Sequence, residues 1–162
     1  LGLLLGNQGD LEAGKHAWLN APAWQGLRRV VEDTWVLKDW FELYVAQNVV
    51  LDGVLFGLAY KEVDQAISER AGPTVSMLTR FQAEWIQDAC KWVDAVIKAA
   101  AAESADNQAL LSQWYAQWRA RVVEALTPVA QLALAEQGGQ ALGRAVAAVD
   151  ARMSKAGLTV AA

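Results

Sequence analysis

Asn48 and Asp52 are the two polar residues whose types and spacing come nearest to a chemical site. They lie four residues apart in the apolar stretch DWFELYVAQNVVLDGVLFGLAY, residues 39–60, and so would project from one face of a helix. A carboxyl and an amide in a core need hydrogen-bonding or ionic partners, because leaving them unpaired costs on the order of several kcal/mol. The favoured interpretation is a buried structural pair that fixes the register of neighbouring helices. The alternative, a carboxylate metal ligand or proton carrier, lacks the nearby histidines that it would need.

Metal-binding chemistry finds little support elsewhere in the sequence. His16 is the single histidine, which excludes a metal site built from several histidines of this chain. Glu12 and His16 lie four residues apart, whereas binuclear-iron helical bundles use Glu-x-x-His, three apart, and use it twice. Glu84 and Gln87 have that spacing, but glutamine stands in the histidine position and both fall on the predicted polar face of their helix. The sequence therefore predicts no metal-binding residues.

Nucleophilic and phosphate chemistry are also poorly supported. Cys90, the one cysteine, lies near Ile86, Ala89 and Trp92 with no basic cluster before it, so we expect an inert thiol in the core or at its boundary. The chain has neither a G-x-S-x-G elbow nor a phosphate-binding glycine loop. No catalytic and no cofactor-binding residue is predicted. One cysteine also excludes an internal disulfide and fits a reducing compartment, the cytoplasm.

Residues 39–60 are predicted to form the helix that the other elements surround. The stretch is too long for a strand, contains no proline, and is apolar or small on opposite faces, which is typical of a helix inside a bundle. Ala46, Gly53 and Gly57 give it a small-residue side that would admit a close helix neighbour or a subunit interface. A membrane span is disfavoured, since Glu42, Asp52 and other polar residues interrupt the apolar run too often.

The rest of the chain is predicted to be helical too, which makes the 162 residues one all-α domain. Residues 1–20 are glycine-rich and are expected to be an irregular lead-in. Helices are predicted over residues 22–38, 74–102 and 140–156, with another that should kink or break at Pro128. The predicted buried stripes are Trp24, Leu27, Val31 and Trp35; Leu78, Phe81, Trp85, Ala89, Trp92 and Val96; and Leu110, Leu111, Trp114, Trp118, Val122 and Leu126. The predicted polar face of the helix over 74–102 carries Arg80, Glu84, Gln87, Lys91, Asp94 and Lys98.

The amino-acid composition limits the kinds of partner that this chain is expected to bind. Eight tryptophans in so short a chain predict a thick helix-packing layer or an extensive partner interface, because tryptophan is enriched at both. The formal net charge of −4 and the lack of a basic run argue against a nucleic-acid partner.

Residues 18–60 resemble the β-subunit of the bacterial multicomponent monooxygenases, most of all their phenol hydroxylase branch. Trp24, Arg28 and Glu32 match the W-x-x-x-R-x-x-x-E pattern of that family. Residues 39–50 match its D-W-x-E-x-x-V-A-x-N-x-V pattern. Such β-subunits are about double this length, so the resemblance implies that the chain is the carboxy-terminal half of one.

This resemblance implies a ferritin-like helical bundle that lacks iron ligands and forms part of a larger helical subunit. The chain would be a non-catalytic structural subunit that scaffolds the α-subunit, and it would bind no cofactor itself. The α-subunit would hold a di-iron centre, and α, β and a small γ-subunit would assemble as a dimer of αβγ protomers. A separate reductase with NADH, FAD and an iron–sulfur cluster would supply electrons for hydroxylating phenol or a related aromatic.

Two other functions remain open on the residues alone. One is an autonomous ferritin-like metal-binding oxidase, for which the chain offers carboxylates but a single histidine. The other is a stand-alone helical interaction module. Neither has a site residue beyond those already named.

Overall fold

The chain folds as an all-α bundle in a computed structural model that describes residues 8–160. The helices in this range are α1 Gln8–Asn20, α2 Pro22–Thr34, α3 Trp40–Ala71, α4 Thr74–Glu103, α5 Ala105–Leu134 and α6 Gly138–Lys155. A 3-10 turn at Ala135–Gln137 joins the last two. The all-α fold class is therefore confirmed.

The predicted central helix is α3, and it continues beyond residue 60 to Ala71. Asp39 caps its start, since its carboxylate accepts hydrogen bonds from the backbone N–H groups of Phe41 and Glu42. Two stretches of α3, Val45–Leu51 and Leu58–Val63, are π-helical. Such wider turns change the angle between successive side chains, so a helical wheel drawn at 100° per residue loses its register along α3.

The core lies where α3, α5 and α6 meet, with α2 closing one side. The α5 helix packs against α2, α3, α4 and α6, so it shares the central place with α3. The largest fully buried side chains are Trp118, Tyr115, Ile97, Leu126, Met153, Val45, Val49, Val50, Val54, Val122 and Val149. By length and composition α3 could cross a bilayer, but the core helix of a soluble protein passes the same test.

The beginning of the described chain differs from the predicted irregular lead-in. Residues 8–20 are helical, and residues 1–7 lie outside the described range. The helix α1 packs along α2, with the Trp18 and Trp24 rings 6.2 Å apart between centroids. Packing of α1 on α2 offsets the low helix propensity of Gly14, where an added Cβ would meet nothing within 4 Å.

Two helix ends also differ from the prediction. The α2 helix stops at Thr34, and Trp35 is exposed, while Val30 and Thr34 join Leu27 on the buried side. Pro128 does not end α5, which continues for six residues to Leu134. Val129, Ala130 and Leu134 are all buried, so packing beyond the proline offsets its missing hydrogen bond.

The largest difference concerns α4. Its predicted buried stripe is wrong at Leu78, Phe81, Trp85 and Trp92, which are exposed, while Ala89 and Val96 are half-buried. The residues that α4 buries are Val93 and Ile97, about 80–120° around the helix from the centre of that stripe at 100° per residue. An apolar stripe indicates which side avoids water, and most of this one is left uncovered by residues 8–160.

Candidate functional site

A pocket of about 280 Å³ lies between α3 and the middle of α4, and it contains both Asn48 and Asp52. Its other lining residues are Gly53, Phe56, Trp85, Ile86, Ala89, Cys90, Trp92 and Val93. The walls are thus aromatic and aliphatic, with one carboxyl, one amide and one thiol. This composition suits an apolar contact better than it suits the binding of a charged ligand.

Asn48 and Asp52 line this pocket as half-buried side chains. Within residues 8–160, neither side chain has a hydrogen-bonding partner that could fix helix register. Burial raises the pKa of the Asp52 carboxyl above its ordinary value. A register-fixing role for the pair therefore stays a prediction, without a partner group in the described chain.

Cys90 forms part of the pocket wall and is half-buried. Burial raises the pKa of its thiol, and the nearby Arg152 guanidinium opposes that rise only partly. A raised pKa disfavours the thiolate, which is the nucleophilic form of cysteine. This environment does not activate Cys90.

The pocket does not fit a di-iron centre. Carboxylate-bridged iron pairs in helical bundles draw a Glu from each of two helices and a Glu-x-x-His set from each of the other two. The pocket supplies Asp52 as its one carboxyl group, and His16 and Glu12 are exposed on α1. Across residues 8–160, no three His, Cys, Asp or Glu side chains come together in a way that could hold a metal ion.

Glu84 and Gln87 lie on the outside of α4 and do not enter that pocket. Arg80 donates to Glu84 at 2.8 Å within the same helix, so this carboxylate belongs to an exposed ion pair. Asp94, predicted on the same polar face, is instead half-buried and accepts hydrogen bonds of 2.7–3.1 Å from Arg152 of α6. The polar face therefore turns inward where α4 approaches α6.

The small residues of α3 lie against α6. A Cβ added to Gly53 would be 3.0 Å from a methyl of Val149, and one added to Gly57 would be 3.4 Å from the Ala145 Cβ. Ala46 is fully buried. The close neighbour of Gly53 and Gly57 is thus a helix of this same chain, and a subunit interface at this side stays a prediction.

Interhelical ion pairs are the feature that sequence reasoning missed. Arg119 binds Asp150 through two hydrogen bonds of 2.8 Å, and the Tyr115 hydroxyl donates to the same carboxylate. Arg144 donates to Glu62 at 2.9 Å, so the buried carboxylate of α3 has a partner on α6. These partners are 31 to 82 residues apart in the chain, and no local spacing signals them.

Exposed large apolar side chains, most of them aromatic, form a second candidate site, which we call the aromatic face. It consists of Met77, Phe81, Trp85 and Trp92 on α4 and Trp40 at the start of α3, which are 75%, 75%, 60%, 63% and 70% exposed. Edge-to-face and tilted ring contacts connect its two parts. The Trp92 and Tyr44 centroids are 5.9 Å apart, Tyr44 and Phe41 are 5.7 Å apart, and Phe41 and Trp40 are 4.9 Å apart.

The known proteins to which this chain is similar agree with one another. The model of the Methane/Phenol/Alkene Hydroxylase family matches residues 1–104. The oxygenase component DmpL of phenol 2-monooxygenase from Pseudomonas sp. (strain CF600) is 44% identical over 98% of this chain and 47% of its own length. The hydroxylase component subunit beta of the toluene-4-monooxygenase system from Ectopseudomonas mendocina is 29% identical over 68% of this chain and 34% of its own.

A solved structure agrees with these sequences. The crystal structure of xenon-pressurized phenol hydroxylase from Pseudomonas sp. OX1 superposes with a TM-score of 0.90 at 36% identity, over 98% of this chain and 48% of that one. The chain thus spans about half the length of the relatives that it matches most fully. The all-α bundle and the matches to named hydroxylase components agree with the resemblance read from residues 18–60. The chain belongs to the methane/phenol/alkene hydroxylase family, and it is similar to a small subunit of a phenol hydroxylase.

Proposed function

We propose that this chain is part of a non-catalytic structural subunit of a di-iron, phenol-type monooxygenase, where it scaffolds the iron-bearing α-subunit. The observation that carries the proposal is the chemistry of the bundle interior. Among residues 8–160 the buried polar or charged residues are Thr34 and Glu62. Thr34 donates to the Val31 carbonyl, and Glu62 pairs with Arg144. The other interior positions of α3, α5 and α6 carry mainly Val, Leu and Ala, which cannot bind iron.

We infer the other components of the assembly from the resemblance to the family. The α-subunit would hold the di-iron centre, a small γ-subunit would complete an αβγ protomer, and two protomers would pair in the cytoplasm. NADH, FAD and an iron–sulfur cluster would belong to a separate reductase. The names of two relatives, both phenol 2-monooxygenase oxygenase components, support phenol or a related aromatic as the substrate of the whole enzyme.

Affinity purification from the native host tests this function. A tag on the polypeptide that contains this chain should retrieve a second polypeptide that carries the iron, and the assembly should hydroxylate phenol when its reductase is supplied. Asp52→Asn should leave iron content and turnover per iron unchanged. Asp106→Asn, at an exposed aspartate of α5, is the matched control.

Two results would contradict the proposal. Stoichiometric iron or manganese in the tagged polypeptide alone, lost in Asp52→Asn, would identify an autonomous oxidase. Recovery of the polypeptide with no hydroxylase subunit would identify a stand-alone interaction module.

A further inference from the structure

We propose that a cleft between α3, α4 and α6 binds an organic anion, a small molecule with a carboxylate head and an apolar body. The cleft has a volume of about 370 Å³, which is within the usual range for ligand pockets. Its charged lining residues are Lys61 of α3, Lys91 and Asp94 of α4, and Arg152 of α6. The inference concerns a binding site of this chain itself and does not depend on the function proposed above.

The cleft lies on the side of α4 away from the aromatic face. Gln87 and Asp94 line it, and they lie about 140° and 160° around α4 from Trp92 at 100° per residue. Three helices of this chain form its walls. The cleft is therefore separate from the uncovered apolar stripe of α4.

Arg152 is anchored by two of its nitrogens and presents the third to the cleft. Its Nε and Nη2 donate to the Asp94 carboxylate at 3.0 Å and 2.7 Å. Its Nη1 donates to no acceptor among residues 8–160, and a Cβ added to Gly53 would lie 3.4 Å from this nitrogen. Gly53 also lines the cleft, and its lack of a side chain leaves Nη1 room to meet a ligand. A guanidinium held in this way can donate a charge-assisted hydrogen bond to a carboxylate.

The cleft carries more positive charge than its own carboxylate neutralises. Three cationic side chains line it with one carboxylate, although the whole chain has a formal net charge of −4. Among residues 8–160, Lys61 forms no ion pair, and Lys91 pairs with Asp88 at the exposed surface. An exposed pair contributes little to stability, so Lys91 can exchange Asp88 for another anion. This charge attracts an anion and disfavours a metal ion.

The apolar part of the lining determines the kind of anion. The Phe56 and Tyr60 rings of α3 have centroids 5.9 Å apart and both line the cleft, and Ala83 and Ile86 of α4 line it too. Inorganic phosphate would leave these side chains in water, whereas an apolar body would cover them. A carboxylate on an aromatic or aliphatic body therefore matches both the charged and the apolar lining.

Binding of benzoate tests the inference. Benzoate has a carboxylate and a phenyl body, benzamide has the same shape without the charge, and inorganic phosphate has charge without the body. Isothermal titration calorimetry on the full-length polypeptide that contains this chain, purified with the subunits that accompany it, should show saturable binding of benzoate. Benzamide and phosphate should each bind at least about tenfold more weakly, because each lacks one of the two matching features. Equal or tighter binding of either compound, or no saturable binding of benzoate, would overturn the inference.

Two pairs of lysines locate the binding. Lys61→Gln/Lys91→Gln removes both ammonium groups of the cleft and should weaken benzoate binding at least about tenfold. Lys98→Gln/Lys155→Gln removes the same charge at exposed lysines that line a different pocket, so it should bind benzoate as the wild type does. Unchanged binding by the first variant, or equal losses in both, would overturn the inference, provided that circular dichroism shows both to be folded.

A photoreactive analogue provides an independent readout of the position. Photolysis of para-azidobenzoate in the same purified assembly should label α3 near Tyr60 and α4 near Gln87, and excess benzoate should prevent the labelling. Peptide mass spectrometry identifies the labelled residues. Labelling confined to other parts of the assembly would overturn the inference.

Discussion

The helices α4 and α5 have the same length and similar stripes, but α5 buries a tryptophan of its stripe completely and α4 does not. Each helix has 30 residues and an apolar stripe that contains two tryptophans. Trp118 of α5 is 1% exposed, and its indole N–H donates to Glu42 at 3.1 Å. Trp85 and Trp92 of α4 are mostly exposed. The comparison teaches that helical periodicity determines which side of a helix is apolar, whereas neighbouring elements determine whether that side is covered.

Trp118→Ala should have the largest effect on the stability of the chain. It would empty a fully packed position and remove the hydrogen-bond donor of Glu42, so we expect a loss of about 3–5 kcal/mol in the free energy of unfolding. Urea unfolding followed by circular dichroism measures the loss. Trp35→Ala, at an exposed tryptophan after α2, is the matched control. A loss below about 1 kcal/mol would mean that the α5 core is loosely packed, which would remove the contrast.

Gly53→Leu should come next, because it tests the close contact between α3 and α6. A Cβ alone would already lie 3.0 Å from Val149, so a leucine should overpack this contact and cost about 1–3 kcal/mol. Gly143→Leu, on α6 where nothing lies within 4 Å, should instead keep or raise stability, since leucine favours a helix more than glycine does. Equal thermal midpoints for the two variants would show that α3 and α6 are not in close contact.

Replacing Asp150, which lies in the well-packed region, should lower stability moderately and in a pH-dependent way. Burial by itself raises the pKa of this carboxyl, but hydrogen bonds from Arg119 and Tyr115 outweigh burial and hold the pKa below its ordinary value. The stability that Asp150 contributes is therefore present above the unfolded pKa of about 3.9 and is lost as the pH falls through the folded pKa. Asp150→Asn should be less stable than the wild type at pH 7, and the difference should shrink on acidification. A difference that does not change with pH would refute the pairing.

Asp52 should change stability with pH in the opposite direction to Asp150, and by a smaller amount. Burial raises its pKa, so the folded protein holds the proton more tightly and the destabilisation grows as the pH rises from about 3.9 through the folded pKa. Asp52→Asn should thus be slightly more stable than the wild type at pH 7 and equal to it in acid. Urea midpoints at a series of pH values measure the difference. A lower midpoint at pH 7 would show that Asp52 is ionised and paired.

Trp85→Ala should have the smallest effect on the free energy of unfolding of the chain by itself. The side chain is mostly exposed, and exposed substitutions usually change stability by less than about 0.5 kcal/mol. A loss as large as that of Trp118→Ala would show that other elements of this chain cover Trp85.

Local patterns were sufficient for the helices after residue 20 and for the kind of fold. Of the predicted stripe of α5, Leu111, Trp118, Val122 and Leu126 are buried, because α5 has neighbours on several sides. The prediction is wrong at Leu110, which is exposed, and Trp114 is half-buried. The turn at Gly72 has a φ of 85°, a conformation that glycine adopts without strain, so its position was readable from the sequence. The residues of 18–60 were also sufficient to indicate the family, since such motifs are local in the chain.

Tertiary structure decided everything that depends on a distant partner. Asp94 was predicted to be solvated but binds Arg152, 58 residues away, and α1 became helical because α2 lies beside it. Asn48 and Asp52 line one pocket, but neither side chain has a hydrogen-bonding partner among residues 8–160. The exposed stripe of α4 shows the same limit most clearly. A sequence specifies the apolar side of a helix through the angle between successive residues, but the surface that covers this side belongs to whatever folds against it.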